Sequence, residues 1–196
     1  AVIREIDDFA FYGCAALKSV PENSAERIGV SAFENCTSFK TIYISAPIRR
    51  VEDRAYFGCS SVETLIVDNW TRTLGIDAFA NCQALKNISG VYTDNEHYIV
   101  PKDNCLLANG EKTLILGCAG SAIPDTVERI ADGAFKGSGA VEVFIPASVT
   151  SAGESIFTDC AMLTDVYFGG TEEEWNALGI ETSGATVHFD SVRENV

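Results

Sequence analysis

The sequence contains no stretch of 18 or more apolar residues, although 46% of its 196 residues are hydrophobic. A membrane-spanning helix needs about 20 predominantly apolar residues, so insertion into a membrane is not expected. Basic residues are also scarce, because 14 Lys and Arg stand against 28 Asp and Glu, which gives a net charge of −14. Such a chain repels phosphate backbones, and nucleic acid is therefore not expected as a partner.

Histidine and the common catalytic motifs are scarce or missing as well. The chain has two histidines, His97 and His188, and we expect both at the surface. None of the signatures G-x-S-x-G, H-E-x-x-H, G-x-G-x-x-G or the P-loop occurs. The sequence leaves open a catalytic group that assembles only in space. We nevertheless predict a protein that is not an enzyme, with no catalytic residue, no metal and no cofactor.

The chain is instead rich in internal repetition. The motif Ala–aromatic–x–x–Cys occurs in SAFENC (31–36), RAYFGC (54–59) and DAFANC (77–82). Its aromatic position recurs with gaps of 22, 23, 23, 56 and 22 residues, at Phe11, Phe33, Tyr56, Phe79, Phe135 and Phe157. The sequence therefore contains six repeats, with an insertion of about 33 residues between the fourth and the fifth.

Each repeat has the same internal pattern. Ala, the aromatic residue, Cys and a further apolar residue occupy positions i, i+1, i+4 and i+7, which predicts a short helical turn. The further apolar residues are Leu17, Phe39, Val62, Leu85, Val141 and Leu163. Alternating segments such as TIYIS (41–45), TLIVD (64–68) and DVYF (165–168) then predict strands. Because one repeat buries little surface alone, we expect the repeats to stack, each adding one strand to a parallel sheet.

The repeat resembles a known family. The pattern I-x-x-x-A-F-x-x-C-x-x-L-x-x-V-x-I-P is similar to the BspA-like leucine-rich repeats of bacterial surface proteins, and AIPDTVERIADGAFKG (122–137) and FIPASVTSAGESIFTDC (144–160) carry it most clearly. The resemblance implies an α/β, β-rich leucine-rich-repeat solenoid that forms a single domain over residues 1–196, with repeats at about 2–90 and 122–168. It also implies an adhesion protein that is secreted or displayed on the cell surface of a bacterium.

Two segments depart from the repeat, at about 91–121 and 169–196. In the first, Asn109-Gly110 predicts a β-hairpin with strands near 104–108 and 113–117, which is either a protruding ligand contact or, as we favour, a structural spacer. In the second, Thr171 and Glu174 predict a capping box, and ATVHFD (185–190) predicts a strand, so this segment is expected to cap the last repeat. The N-terminus has neither a cap nor a leader, which suggests a trimmed chain that naturally extends upstream.

The cysteines allow three interpretations. Five of the seven share one repeat position, namely Cys14, Cys36, Cys59, Cys82 and Cys160, and Ser138 takes that position once. Stacked side chains stay about 4.8 Å apart, beyond the roughly 3.5–4.5 Å between the Cβ atoms of a disulfide. A column of single cysteines does not form a tetrahedral metal site either. We therefore favour small buried thiols, and expect Cys105 and Cys118 to be thiols as well.

Ligand binding is the function that the sequence still allows, and a column of outward-facing strand residues indicates the binding surface. The residue seven positions after each motif Cys faces away from the core, and these residues are Tyr43, Ile66, Ser89 and Tyr167, with Phe144 in the shortened fifth repeat. We predict that Tyr43, Ile66, Phe144 and Tyr167 contact a protein or glycan ligand, and that the protein is a monomer. These residues are alternatively only good strand formers, in a chain that is a structural spacer. A second column, Arg27, Arg50, Thr73 and Arg129, is interpreted as a solvated charged edge.

Overall fold

A computed structural model describes residues 4–20, 25–45, 47–68, 70–90 and 99–192. The chain forms a β-solenoid of about seven turns. In chain order the strands are β1 Glu5–Ile6, β2 Arg27–Ile28, β3 Thr41–Ile44, β4 Arg50–Val51, β5 Thr64–Val67, β6 Thr73–Leu74, β7 Asn87–Ser89, β8 Ile99–Lys102, β9 Cys105–Ala108, β10 Thr113–Leu116, β11 Arg129–Ile130, β12 Glu142–Ile145, β13 Ser151–Ala152, β14 Asp165–Phe168 and β15 Thr186–His188. One helix, α1, spans Glu172–Leu178 within these ranges.

Repeats two to six each contribute to two parallel sheets, because a short strand opens the repeat and a longer strand closes it, whereas the described part of the first repeat supplies only the opening strand β1. Before the insertion, the opening strands form the sheet β1-β2-β4-β6 and the closing strands form β3-β5-β7. After it, β11 and β13 pair in parallel as opening strands, and β12-β14-β15 form the closing sheet. The predicted opening apolar residues lie in register, Ile6 beside Ile28, Ile28 beside Val51, and Val51 beside Leu74. The stacking of like positions is therefore confirmed.

The aromatic residues of the motif stack in two groups, Phe11 to Phe79 in the first four repeats and Phe135 with Phe157 after the insertion. The ring centroids are 5.2 Å apart for Phe11 and Phe33, 5.1 Å for Phe33 and Tyr56, and 5.6 Å for Tyr56 and Phe79. The three pairs are nearly parallel, with interplanar angles of 2°, 15° and 9°. Side chains at one repeat position thus fill the core as stacked layers, which is the packing expected of a solenoid.

The segment around each aromatic residue is a hydrogen-bonded turn, so the predicted short helical turn is not confirmed. The residues two before and two after the aromatic have positive φ, as Ser31 (50°) and Asn35 (60°) do around Phe33. A left-handed residue interrupts a right-handed helix. The freed amides point to the next repeat, where Phe33 N–H donates to the Ala55 carbonyl and Asn35 N–H to the Phe57 carbonyl, both at 2.8 Å. The turns therefore form a backbone ladder along the solenoid.

Four of the five motif cysteines are buried thiols that donate to this ladder of turns, whereas the prediction of a buried thiol is wrong for Cys14, which is exposed in the first repeat. All seven cysteines lie in the described ranges and are thiols. In four of them Sγ approaches the carbonyl oxygen of the aromatic residue in the preceding repeat, namely Cys36 and Phe11 (3.2 Å), Cys59 and Phe33 (3.2 Å), Cys82 and Tyr56 (3.5 Å), and Cys160 and Phe135 (2.9 Å). Ser138, which takes this position once, is also buried, and its hydroxyl lies 3.7 Å from Cys160 Sγ and accepts from Ala140 N–H at 3.4 Å.

The fifth repeat corrects one predicted core residue. Val141 is 49% exposed, whereas Ala140 is buried in its place. This repeat is one residue shorter between its aromatic residue and its closing strand β12 than the earlier repeats are. The residue that turns inward therefore moves back by one position.

The insertion forms a three-stranded antiparallel unit, β8-β9-β10, whose last strand pairs in parallel with β11. The predicted hairpin strands are confirmed as β9 and β10, whereas β8 was not predicted. Leu106 packs into the core of the first four repeats, and Leu107 packs into the core of the later ones. Because β9 is buried on both sides, it joins the two halves of the core.

The C-terminal segment follows the predicted local structure. Thr171 is the N-cap of α1, and its side chain and that of Glu174 form the predicted capping box. Gly179 ends the helix in the left-handed conformation, with φ 65°. The Trp175 ring lies 5.4 Å from the Phe168 ring of the last repeat, and β15 adds a parallel strand to β14.

Aspartate side chains at the start of alternate turns hold the following repeat. In each case Oδ1 accepts a hydrogen bond from an amide one repeat later: Asp8 from Val30 (2.9 Å), Asp53 from Ile76 (2.8 Å) and Asp132 from Glu154 (3.2 Å). Glycine precedes each donor, at Gly29, Gly75 and Gly153, and a Cβ at these positions would overlap the aspartate. The aspartate and the glycine therefore form a matched pair across neighbouring repeats.

We expect Gly75→Ala to lower the free energy of unfolding by about 1–3 kcal/mol, because the added methyl overlaps the backbone of Glu52 and Asp53. Urea denaturation followed by circular dichroism measures the change. Ile76→Ala is the matched control, because the neighbouring Ile76 is 72% exposed. Equal stability of the two variants would show that the close approach of the repeats does not constrain position 75.

The thiols are expected to differ sharply in reactivity. Burial raises the pKa of Cys36 to about 11, of Cys82 to about 12 and of Cys118 to about 11, whereas Cys14 is exposed. Since the thiolate is the reactive form, one thiol of the native protein should react rapidly with an aromatic disulfide reagent at neutral pH. All seven should react after unfolding in guanidinium chloride. Cys14→Ser should abolish the rapid phase, and its persistence would contradict this assignment.

Candidate functional site

The predicted outward-facing column exists, but the insertion divides it into two. Tyr43, Ile66 and Ser89 are register partners on β3, β5 and β7. Phe144 and Tyr167 are partners on β12 and β14, in a separate sheet. The four predicted binding residues therefore lie in pairs on two surfaces. We call these surfaces the first face, on β3-β5-β7, and the second face, on β12-β14-β15.

The first face combines an exposed aromatic residue with a row of charges. Tyr43 is 62% exposed, whereas Ile66 is partly buried. Along one margin, the Glu63 carboxylate lies 3.3 Å from the Lys40 ammonium and 2.9 Å from the Lys86 ammonium. The hydrogen bonds from Lys86 and then Lys40 lower the pKa of Glu63. The first face thus presents the exposed Tyr43 side chain on a strand surface whose margin carries a carboxylate paired with two ammonium groups.

The second face carries a residue that the sequence analysis did not include in the column. His188 on β15 is the register partner of Tyr167, and the two rings stack with centroids 4.7 Å apart and planes 15° apart. The alternation of ATVHFD could have revealed it, because it places His188 in the outward position of a further strand. His188 Nε2 lies 2.7 Å from Asp165 Oδ1, and this hydrogen bond is the main cause that lowers the pKa of Asp165. The second face therefore presents stacked rings beside a carboxylate.

The charged column is not solvated at Arg27 as predicted, because acidic side chains from the neighbouring repeats surround this guanidinium. Arg27 and Arg50 are register partners, and the Arg27 guanidinium contacts Asp8 at 2.7 Å, Glu52 at 3.0 Å and Glu5 at 3.7 Å. The Arg27 side chain is only 20% exposed. Its charge is thus neutralised by the protein, which agrees with a structural rather than a ligand-binding role for this edge.

The described residues offer little for catalysis or metal binding. Among them, no group of three or more His, Cys, Asp and Glu side chains could hold a metal ion. Their motif thiols from Cys36 onward are buried, and a buried thiol in apolar surroundings is a poor nucleophile. His188 lies at the surface as predicted, whereas His97 lies outside the described residues. In the same ranges, no helix has the length and the apolar character needed to cross a bilayer.

The repeats stack through parallel strands, and the residues at each inward repeat position form a buried column. This arrangement is that of a leucine-rich-repeat solenoid. The sequence identifies which kind, because the BspA type leucine rich repeat matches in six copies, over residues 2–98 and 119–177. The chain therefore belongs to the family of BspA type leucine rich repeat proteins. A search of curated proteins finds no significant match.

Solved structures share this fold. A leucine-rich repeat protein from Bacteroides ovatus superposes with a TM-score of 0.58 at 24% identity, over 95% of this chain and 52% of its own. A leucine rich cell surface protein from Faecalibacterium prausnitzii superposes with a TM-score of 0.53 at 17% identity, over 90% of this chain and 72% of its own. The chain thus spans about half the length of the Bacteroides ovatus protein.

The contact between Asp165 and His188 is expected to make stability depend on pH. Because the pKa of Asp165 is lowered in the folded protein, the carboxylate stabilises the fold above its unfolded pKa of about 4 and loses this effect as the pH falls through its folded pKa. Asp165→Asn should therefore lower the Tm at neutral pH, and the difference from the wild type should shrink in acid. Asp125→Asn, at an exposed position, is the control. A difference that persists unchanged in acid would contradict this origin.

Proposed function

We propose that this protein is a non-enzymatic adhesion module, secreted or displayed at a bacterial cell surface, that recognises a protein or glycan ligand through the outward faces of its closing sheets. Tyr43 and Ile66 on the first face, and Phe144 and Tyr167 on the second, supply the apolar contacts. The observation that carries the proposal is Tyr43, a large aromatic side chain that is 62% exposed on a flat strand surface.

The solenoid gives such contacts a rigid support. Tyr43 and Ile66 are held in register by parallel strands, so a ligand that binds them orders few additional backbone groups. Tyrosine is favoured in binding surfaces because it buries a large area with few rotatable bonds and keeps a hydroxyl for hydrogen bonding. In this proposal α1 and β15 act as the cap that closes the last repeat, where Trp175 covers Phe168.

The proposed location rests on the family and on the printed name of one structural neighbour. The protein from Faecalibacterium prausnitzii is described as a leucine rich cell surface protein. The many carboxylates, 28 Asp and Glu against 14 Lys and Arg, suit a solvated surface outside the cell.

A structural spacer that presents another domain is the second candidate function. The insertion supports it, since β9 is buried against both halves of the core and joins them into a continuous rod. The second face supports it too, because Tyr167 is partly covered by the stacked ring of His188. A spacer needs the stacking but makes no use of the exposed side chain of Tyr43.

One double variant distinguishes an adhesion module from a structural spacer. Tyr43→Ser with Tyr167→Ser should weaken binding to immobilised glycans or extracellular matrix proteins by about tenfold or more, because the two anchor rings are lost. The melting curve should change little, since Tyr43 is largely exposed and Tyr167 is only partly buried. Binding on arrays of such glycans and proteins, followed by titration of each hit, measures the effect.

The matched control is Val141→Ser with Met162→Ser, which removes two exposed apolar side chains outside both faces. This control should bind as the wild type does. Undiminished binding by the tyrosine double variant would exclude the two faces as the site. Failure of the wild type to bind any probe of either array would favour the spacer.

A further inference from the structure

The fourth repeat leaves a strand edge without its usual partner. In the first three repeats, the carbonyls that flank each opening strand accept hydrogen bonds from the amides of the next repeat. For example, Arg49 O accepts from Arg72 N–H (2.8 Å), and Val51 O accepts from Gly75 N–H (2.7 Å). The equivalent carbonyls of the fourth repeat belong to Arg72 and Leu74. Within the described ranges, no strand pairs with β6 on this side.

The insertion is the reason for this open edge. The amides of the fifth repeat that would reach the fourth donate to the inserted hairpin instead: Glu128 N–H donates to Lys112 O, and Ala131 N–H donates to Leu114 O, both at 2.8 Å. Strand β10 has thus taken the place that the fourth repeat would otherwise fill. The turns keep one hydrogen bond of their ladder, from Asn81 N–H to Lys136 O at 3.0 Å, whereas Ala134 O accepts from Gly117 N–H of the insertion at 2.8 Å. The contact between the fourth and fifth repeats is therefore reduced on the turn side and interrupted at β6.

A cleft of about 230 Å³ lies at this interruption. Its apolar lining includes Leu74 and Phe79 from the fourth repeat and Ile115 and Leu116 from the hairpin. Ile76 is part of the lining and is 72% exposed, so its side chain adds apolar surface at the mouth of the cleft. The volume is below the roughly 300–1,000 Å³ of pockets for drug-sized ligands, and it suits a short piece of extended chain.

The rim of the cleft is charged and favours one kind of partner. Asp132 lies at the rim with its side chain 69% exposed, and Arg129 approaches it at 3.8 Å. The lining carries two carboxylates, Asp77 and Asp132, against the one guanidinium of Arg129, and the whole chain carries a net charge of −14. A segment with basic residues beside its apolar ones therefore meets a complementary potential.

We propose that β6 and this cleft bind an extended, basic and apolar segment of a partner protein, which adds a parallel strand to the open edge. The backbone amides of the segment donate to the carbonyls of Arg72 and Leu74, in the pattern that every earlier pair of repeats shows. Its apolar side chain fills the space above Leu74 and Ile115. This site is separate from the two outward faces and goes beyond the proposed function.

A synthetic peptide with the sequence PIRRVEDRA, residues 47–55, is a suitable probe because it has the required composition and strand pattern. In the protein, its amides at Arg49, Arg50 and Glu52 donate to the preceding repeat. Fluorescence anisotropy of the labelled peptide with the whole chain should show saturable binding. The same peptide N-methylated at these three amides should bind about tenfold more weakly or worse, because it lacks the donors of the ladder.

Variants of the protein locate the binding. Ile76→Ser should weaken it about fivefold by removing apolar contact at the rim. Val141→Ser, an exposed apolar position outside the cleft, should leave it unchanged. Tyr43→Ser with Tyr167→Ser should also leave it unchanged, which separates this site from the outward faces.

Three results would overturn the proposal: no saturable binding of PIRRVEDRA, equal binding of the N-methylated peptide, or no effect of Ile76→Ser. Sedimentation velocity tests another occupant. A dimer of the chain that the peptide dissociates would assign the cleft to a second copy and would overturn the partner segment.

Discussion

The hydrogen bonds between successive turn segments are the constraint on which the rest of the structure depends. The two left-handed residues that bracket each aromatic residue direct alternate amides along the axis of the solenoid. Each turn is thereby held one strand spacing from the next, and the rings must stack at 5.1–5.6 Å in the first four repeats. The same spacing brings each motif thiol to the carbonyl of the previous repeat. Ring packing, thiol hydrogen bonding and strand register are therefore consequences of one backbone geometry.

The repeat period predicted the strand register correctly, because equivalent residues of successive repeats must lie one above another in a solenoid. The opening residues from Ile6 to Leu74, the file from Phe11 to Phe79 and the capping box of Thr171 all follow from spacing alone. The helical turn was not predictable in the same way. Apolar residues at i, i+1, i+4 and i+7 also point inward in a turn with left-handed residues at both ends, and hydrophobic spacing does not distinguish the two.

Other differences arise from local length and from contacts between distant segments. Val141 is exposed because a single missing residue shifts the inward position to Ala140. His188 joins the outward column because β15 pairs with β14, which no motif of the repeat encodes. The division of the column into two faces follows from where the inserted strands pair, and the sequence of IVPK (99–102) gave no indication of β8.

The insertion interrupts the sheets without separating the turns. Strand β10 accepts the amides of the fifth repeat, while Lys136 keeps contact with the fourth through its carbonyl and through its ammonium, which lies 2.6 Å from Asp77. That ion pair is largely enclosed, with the Lys136 side chain 21% exposed and the Asp77 side chain 14% exposed. The two halves are thus joined on one side by the hydrogen bond from Asn81 to Lys136 and the ion pair of Lys136 with Asp77, and through the middle by the buried strand β9.

This arrangement separates the positions that build the solenoid from those whose side chain the stack does not set. Inward residues, turn residues and the aspartate–glycine pairs are fixed by the close approach of neighbouring repeats, and a change at any of them alters the stack. Tyr43 lies outside this set, because its register partner Ile66, and Ser89 beyond it, would stack as well beside a smaller polar residue. Because the fold does not require the Tyr43 side chain, a substitution there tests the proposed binding without disturbing the stack.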